Sequence, residues 1–471
     1  MMRSDRSEST VGAPAGPDRL LSESPSSVID EAADLVVVVD PVSTGACLAA
    51  ELAKRGHKLV RCWSDACPPA IKAHTAEGLE VEYVATTNYD PDNLDKLAAE
   101  LAKLGRVSDV VVGCETGVLA ADVIAAALGV RGNGIELSSL RRNKFNQIEA
   151  VRSSRLDAPF QRLARDGSDV EAFLAAAAAQ FEAPFRAVVK PVDGAASDGV
   201  SICDSPAQVR SAFDALQGST NVMGLANREV LLQEYLRGDE YVVDTVSRDG
   251  EHKVVALWRY DKRAANGAPV VYFGMELIAL GQDEIAAEPR LVDMMEYACG
   301  ALDAIGIRHG AMHTEVKLEA RGPVLVEVNC RLHGGEGIWL PIAQSCLGYT
   351  QVTAMADAYF RPAAFRSLPS RPTHALARGA WVTVRSGESG VVEDFAQDRL
   401  AALRALPSYA GEYLPPSLVG THVARTVDAC GTHGCFNLVH TDAEQLAADY
   451  EAAQAIVGEG ILLLAPAAQA E

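Results

Sequence analysis

The sequence predicts an open α/β sheet followed by an α+β region. Three observations carry this expectation. A continuous β-branched run, Leu35 to Val39, suits a strand buried on both faces, as in a parallel sheet. Strand and helix patterns then alternate as far as Leu128. Between residues 184 and 330 the pattern changes to short strands joined by hairpin turns, and a polar break from Gly132 to Lys144 separates the two regimes.

The elements follow in order. Asp40 and Pro41 end the first strand. Ser43, Thr44 and Gly45 open a helical pattern that runs to Lys54, and Gly56 stops it. Residues 57–62, 81–84 and 107–113 read as strands, and 93–104 and 117–128 as helices. Residues 145–180 read as helical with an Ala-rich end. Strands are expected at 187–190, 200–203, 230–235, 241–247, 253–260, 313–318 and 324–329. Further strands and a helix near 443–456 follow residue 370. The turn at 40–45 either offers a helix N-terminus to a small anion or carboxylate, or is an ordinary turn capped by Ser43. It lacks the glycines of a dinucleotide site.

The chain has 471 residues, which at roughly 150 residues per domain is about three domains' worth. Asp plus Glu number 63 against 42 Lys plus Arg, a formal charge of −21. Such a surface repels nucleic acid and anionic lipid, so neither is expected as a partner. No run of 18 uncharged apolar residues occurs, so no membrane-spanning helix is expected. The ten cysteines are scattered through apolar runs, as reduced thiols of a cytoplasmic protein are. Cys430, His433 and Cys435 match no zinc spacing. Residues 1–33, rich in Ser, Pro and charge, read as a disordered leader without the apolar segment of a secretory signal.

Four segments carry chemistry. In the first, a strand ends on Lys190 and a small-residue loop with Gly194, Ser197 and Gly199 follows. Small residues let backbone N–H groups approach phosphate oxygens, and the lysine adds charge; the alternative is a flexible hairpin with a solvated lysine. In the second, Glu234, Tyr235 and Leu236 lead through Gly238 to Glu240. This is either an ordinary hairpin or a hinge presenting backbone groups to a purine, with Glu240 as acceptor for ribose hydroxyls. In the third, Glu327, Asn329 and Arg331 alternate along one strand and share a face. A three-residue loop, Ala320-Arg321-Gly322, would set Glu315 opposite Glu327 and His313 opposite Asn329. Two carboxylates and an amide oxygen suit Mg²⁺, and Arg331 could neutralise phosphate. The alternative is a solvated, ion-paired sheet face. The fourth segment is the loop His333-Gly334-Gly335-Glu336 beside that face.

The order of these features is more specific than any one of them: a lysine, a lysine with a glycine loop, Glu-x-x-x-Gly-x-Glu, Glu, then Glu-x-Asn-x-Arg. It resembles the ATP-grasp superfamily over roughly residues 35 to 360. Within it, Asp40-Pro-Val-Ser-Thr-Gly45, Val-Val-Lys190-Pro, His313-Thr-Glu315 and Glu327-Val-Asn329-Cys-Arg331 resemble the L-amino-acid ligase group, which includes bacilysin-synthetase and dapdiamide-type dipeptide ligases.

The resemblance implies an ATP-grasp fold. Its parts would be an N-terminal open parallel-sheet domain at 34–137, a small lobe with hinge at 138–240, a large lobe with the metal site at 241–365 and a C-terminal α+β subdomain at 366–471. It implies that Lys144 and Lys190 contact ATP, that the 194–199 loop closes over the triphosphate, that Glu234, Tyr235 and Leu236 form the adenine hinge, and that Glu240 holds the ribose. Glu315, Glu327 and Asn329 would bind Mg²⁺, with Mn²⁺ as a substitute, and Arg331 would steady the phosphate and an acyl-phosphate. His313, His333, Gly334, Gly335 and Glu336 are the substrate candidates. His333 to Glu336 offer little bulk, a departure that leaves pocket size open, and the C-terminal part resembles the family weakly.

The implied activity is ATP-dependent ligation of an amino acid or other carboxylate to an amine, in an enzyme whose relatives are commonly homodimers. No general base is assigned; His313 could serve, or could be a hydrogen-bonded residue of the site. The competing readings are a carboxylase- or phosphotransferase-type ATP-grasp enzyme and a nucleotide-binding regulator without turnover. No segment for a biotinyl carrier is evident, and the full metal set argues against a regulator.

Overall fold

A computed structural model describes residues 34–72, 79–194, 199–221, 224–428 and 431–465. The expected leader and Ser197 lie outside the described residues, as does Cys430. The elements are β1 (Leu35–Val39), α1 (Thr44–Lys54), β2 (Lys58–Trp63), α2 (Pro69–Lys72), β3 (Ala85–Asn88), α3 (Leu94–Leu104), β4 (Val107–Val112) and α4 (Val118–Leu128). Then come α5 (Lys144–Ser153), β5 (Gln161–Ala164), α6 (Gly167–Gln180), β6 (Ala187–Pro191), β7 (Ser201–Cys203), α7 (Pro206–Leu216) and β8 (Val230–Glu234). The long strands β9 (Asp239–Arg248), β10 (Glu251–Ala265) and β11 (Ala268–Leu277) are followed by α8 (Gln282–Ala286), α9 (Pro289–Ala304), β12 (Gly310–Glu319) and β13 (Gly322–Asn329). The remainder is α10 (Leu340–Leu347), α11 (Gln351–Phe360), α12 (Pro362–Ser367), β14 (Arg378–Thr383), β15 (Gly390–Phe395), α13 (Gln397–Arg404), β16 (Tyr409–Tyr413), β17 (His422–Val423), β18 (Cys435–His440), α14 (Ala443–Gly458) and β19 (Leu462–Leu464). Among the described residues, no helix is long and apolar enough to cross a membrane.

The first four strands form a parallel sheet, ordered β3-β2-β1-β4, and every residue of β1 is buried, as its unbroken valine run requires. A small antiparallel sheet, β5-β8-β6-β7, carries α6 and α7 on Phe173, Val209 and Phe213. Asp166 caps α6 and Ser205 caps α7, each by accepting a backbone N–H. The largest sheet is antiparallel, ordered β13-β12-β9-β10-β11-β14-β18-β16. Helix α9 covers one of its faces, packing Met294, Ala298 and Leu302 against Val243, Leu325 and Val328. Strands β14, β18 and β16 extend this same sheet, and β17-β15-β19 forms a small separate one.

Three expectations are corrected. The third strand is β3 rather than 81–84. Val81 and Tyr83 pack instead on the cluster that includes Leu52 and Val352, and the chain joins the sheet edge only from Val84, whose N–H donates to Leu59 O at 2.9 Å. The expected helix over 145–180 is interrupted by β5: α5 ends at Ser153, the chain turns left-handed at Arg155 (φ 66°), and Gln161–Ala164 pairs with β8. The turn between β12 and β13 has two residues, Ala320 and Arg321, not three. The expected pairing of Glu315 with Glu327 and of His313 with Asn329 is still reached, because the extra residue Val326 is taken up as a β-bulge between the Glu315–Glu327 and Val316–Leu325 pairs.

In the turn after β1, Ser43 does not act as a side-chain cap. Asp40, at φ 51° and fully buried, accepts from Ser64 N (2.8 Å), Ser64 Oγ (2.6 Å) and Thr116 Oγ1 (2.6 Å). Those bonds hold a left-handed backbone that an aspartate would otherwise leave. The turn brings α1 hard against the end of β4: a Cβ at Gly45 would lie 2.2 Å from the backbone O of Gly113. Gly45→Ala must move backbone, and it should cost about 2 kcal/mol or more of stability, a scale set by overpacked cores. Urea unfolding of the variant checks this, and an unchanged midpoint would contradict the close packing.

Candidate functional site

The site begins at the β12–β13 hairpin. The register puts Glu315 and Glu327 side by side, and Asn329 Nδ2 donates to Glu327 Oε1 at 3.3 Å. Strand β13 is an edge of the large sheet, and Gln147 of α5 covers it as another strand would. Its Oε1 accepts from Val328 N at 2.9 Å and its Nε2 donates to Val328 O at 2.7 Å. Asn143 caps α5 by accepting from Asn146 N at 2.9 Å. That docking sets Lys144, one turn before Gln147, beside the hairpin: Lys144 Nζ is 2.7 Å from Glu327 Oε2 and donates to Gly194 O at 2.7 Å.

Lys190, at the end of β6, is buried within the field of the same groups. Burial brings its ammonium down to about 8, with Glu327 opposing that shift and Lys144 adding to it. Burial favours the neutral acid at Glu327, but Lys144 and Lys190 outweigh it and hold the carboxyl below its usual range. Gly194 and Gly199 flank the undescribed part of the loop after Lys190.

Glu240 sits between two lysines. It pairs closely with Lys262 Nζ and lies 3.4 Å from Lys317 Nζ; against burial, these hold its carboxyl low. The Lys262 ammonium also lies 3.9 Å from the centre of the Tyr260 ring. Glu234 ties the small sheet to the β12–β13 turn. Its Oε2 accepts from Phe160 N at 2.7 Å, and its Oε1 accepts from Arg321 Nη2 at 2.7 Å. Its neighbour Tyr235 stacks under Arg186, and Leu236 is buried.

Arg331 lies two residues past the end of β13, where its N–H turns back to Asn329 O at 2.8 Å; it does not continue the strand face. Its guanidinium returns to the site all the same. Nη2 donates to Asn329 Oδ1 at 3.2 Å, Nη1 donates to Leu332 O at 2.8 Å, and Nε is 3.0 Å from Glu115 Oε2.

The two histidines meet on a carboxylate. Asp244 of β9, fully buried, is 3.2 Å from His313 Nδ1 and 2.9 Å from His333 Nδ1, and it accepts from Trp258 Nε1 at 2.9 Å. His313 Nε2 faces Glu315 Oε1 at 3.3 Å. Burial opposes charge on His313, but the bonds to Asp244 and Glu315 raise it; His333, packed on Trp339, is pushed down to about 4 by burial. The two ring nitrogens of His313 thus face two carboxylates, Asp244 and Glu315. The loop at 334–337 is pinned to the turn after β1. Thr44 Oγ1 donates to Gly334 O (3.2 Å) and accepts from Gly337 N (3.0 Å), while Ser43 Oγ accepts from Glu336 N (3.1 Å). Glu336 is left-handed at φ 51°. Trp381 of β14 fills the space over the loop, 3.5 Å from where a Cβ of Gly335 would stand.

Sequence reasoning did not single out Glu115, Asp244, Tyr260, Lys262, Lys317 or Trp381. Asp244 had a signal, a charge inside an apolar strand run. The others reach the site through pairings between distant segments.

A model for the ATP-grasp domain matches residues 183–339, which contain this hairpin and its lysine strand. Dapdiamide A synthase of Enterobacter agglomerans is 31% identical over 330 residues, covering 69% of this chain and 73% of that protein. The chain belongs to the ATP-grasp family. Among solved structures, the L-amino acid ligase of Bacillus licheniformis superposes with a TM-score of 0.67 at 15% identity, over 92% of this chain and all of that one. N5-carboxyaminoimidazole synthase from Aspergillus clavatus, in complex with ADP, gives 0.63 at 15% identity over 91% of this chain and 99% of that one. At such identities the likeness is one of fold, and the fold is that of ATP-grasp ligases.

The residues fit the groups this family uses. Glu315, Glu327 and Asn329 are hard oxygen donors on one face, and Lys144 already places a cation on Glu327. Lys190 gives a pH test. A phosphate beside it would favour its charged form, so nucleotide binding there would take up a proton above about pH 8 and none well below it. ATP affinity should hold between pH 6.5 and 7.5 and fall above pH 8, by up to about tenfold per unit. A dissociation constant that stays level to pH 9.5 would contradict the placement.

Proposed function

We propose that the protein is an ATP-dependent carboxylate–amine ligase that joins an amino acid, or an acid resembling one, to an amine through an acyl-phosphate, releasing ADP and phosphate. The observation that carries this reading is Arg331. Its guanidinium is held beside the carboxylate pair Glu315–Glu327, on the rim where a transferred phosphoryl group would lie. The similarity to dapdiamide A synthase supports amino-acid-like substrates.

The chemistry follows from the placement. A carboxylate oxygen of the acid attacks the γ-phosphorus, the bond to the β-phosphate oxygen breaks, and ADP leaves. The neutral amine then attacks the acyl carbon, phosphate leaves with the former carboxylate oxygen, and the amine loses a proton. Lys144 and Lys190 offset triphosphate charge, and positioning supplies much of the rate. Tyr235 and Leu236 present backbone to the adenine, and Glu240, fixed by its two lysines, accepts from the ribose. Mg²⁺ held by Glu315, Glu327 and Asn329 would neutralise charge on the phosphate oxygens. Arg331 offers the acyl-phosphate a planar fork that lysine cannot reproduce. In this reading residues 138–240 and 241–365 are the lobes around ATP, 34–137 supplies the floor under Arg331, and 366–471 supplies Trp381 to the substrate side.

The test is the product balance. Wild-type protein with ATP, Mg²⁺ and pairs of amino acids should form ADP, phosphate and amide in equal amounts, with little ADP when either partner is omitted. A stable phosphorylated product would mean a kinase, and a requirement for bicarbonate a carboxylase. Arg331→Lys should keep ATP binding within a few-fold and lose ligation by at least about tenfold, the scale of one charge-assisted contact. An unchanged rate would remove Arg331 from the chemistry.

A further inference from the structure

Arg331 stands on a turn beyond the end of its strand, so the hairpin alone does not fix its head. The fixing group comes from the turn after β4 of the parallel sheet. Glu115 opens the turn after β4, at the carboxyl ends of the parallel strands, where open α/β sheets place their working residues. It is only 9% exposed. Its Oε1 is in close contact with Arg142 Nη1, and its Oε2 lies 3.0 Å from Arg331 Nε.

The second contact is incomplete. It is an ion pair without a hydrogen bond, so Oε2 is a buried carboxylate oxygen that accepts none. A buried acceptor left in this state calls for an explanation. The turn that carries it is not slack, because the neighbouring Thr116 Oγ1 donates to the buried Asp40. The two arginines also share one electrostatic centre with the metal-face carboxylates. Burial weakens the Arg142 charge, while Glu115, Asp193 and Glu327 restore it; for Arg331 the restoring groups include Glu115, Glu327 and Glu315.

We propose that Glu115 is a positioning residue for Arg331. It holds the Nε edge of the guanidinium while Leu332 O holds Nη1, so that Nη2 is left for the phosphoryl group. Nη2 now rests on Asn329 Oδ1, an oxygen that the ligase reading assigns to the metal. Occupation of the metal face would therefore release Nη2, whereas Nε and Nη1 stay anchored. Arg142 balances Glu115, so one carboxylate serves two guanidinium groups and leaves a positive excess for the incoming acid and phosphate. The inference rests on the ligase reading of the same site.

The test is a double-mutant cycle on Glu115→Gln and Arg331→Lys, read as amide formation and as acyl hydroxamate trapped with hydroxylamine. Glu115→Gln should bind ATP within about twofold of wild type and lose at least about tenfold in kcat. The double variant should be no more than about threefold slower than Arg331→Lys alone, since Glu115 acts through Arg331. Independent losses that multiply to about a hundredfold would overturn the proposal. Glu115→Gln leaves two buried guanidinium groups facing a neutral amide, so its urea midpoint is measured beside that of Glu115→Gln/Arg142→Gln, which removes their repulsion. Stability should recover in the second variant and kcat should not; recovery of both would make Glu115 merely structural. Wild-type protein that yields no acid-dependent hydroxamate sinks the ligase reading and this proposal with it. Wild-type protein that does, with multiplying losses, sinks this proposal alone.

Discussion

The register of one hairpin governs the site. A tight two-residue turn at Ala320 and Arg321 would, carried on without interruption, pair Glu315 with Val326 and turn Glu327 away from its partner. The bulge at Val326 shifts the pairing by one residue and restores the carboxylate pair. Everything else is placed relative to that pair. Gln147 reads the exposed backbone of Val328, which brings α5 to the strand edge and Lys144 to Glu327. His313 takes its orientation from Asp244 on the next strand.

The centre is electropositive within an acidic protein. Around the hairpin, Lys144, Lys190, Arg142 and Arg331 face Glu115, Glu315 and Glu327, and two more lysines hold Glu240. A chain of formal charge −21 can draw in a polyphosphate only through such a local concentration of cations. Lys144, Lys262, Lys317, Arg142 and Arg331 are each paired with a carboxylate, which limits the desolvation cost of keeping them in a cleft. The parallel sheet takes part directly. Its turn after β1 pins the loop at 334–337 through Ser43 and Thr44, and its turn after β4 presents Glu115.

Much of this was legible in the sequence because the signals were local and periodic. The valine run of β1 requires burial on both faces, and alternation along a strand puts Glu327 and Asn329 together. The facing of Glu315 and Glu327 was reached with a turn one residue too long, since a bulge leaves no mark in composition. Strand β3, Ala85-Thr-Thr-Asn88, is a polar edge strand and was hidden beside the more apolar Val81 to Val84. Strand β5 was lost between two helical patterns. Arg331 was expected on the strand face, but the strand ends at Asn329 and the side chain reaches back. Glu115 and Trp381 were illegible for a different reason: each acts on a segment hundreds or tens of residues away, which no local pattern records.

The acyl-phosphate is the claim on which the account turns, and oxygen transfer tests it directly. An acid substrate labelled with ¹⁸O in both carboxylate oxygens is incubated with ATP, Mg²⁺ and the amine, and the released phosphate is examined by mass. The account predicts one labelled oxygen in phosphate for each amide bond formed, because the attacking carboxylate oxygen leaves with phosphorus. Amide formation with unlabelled phosphate would contradict it.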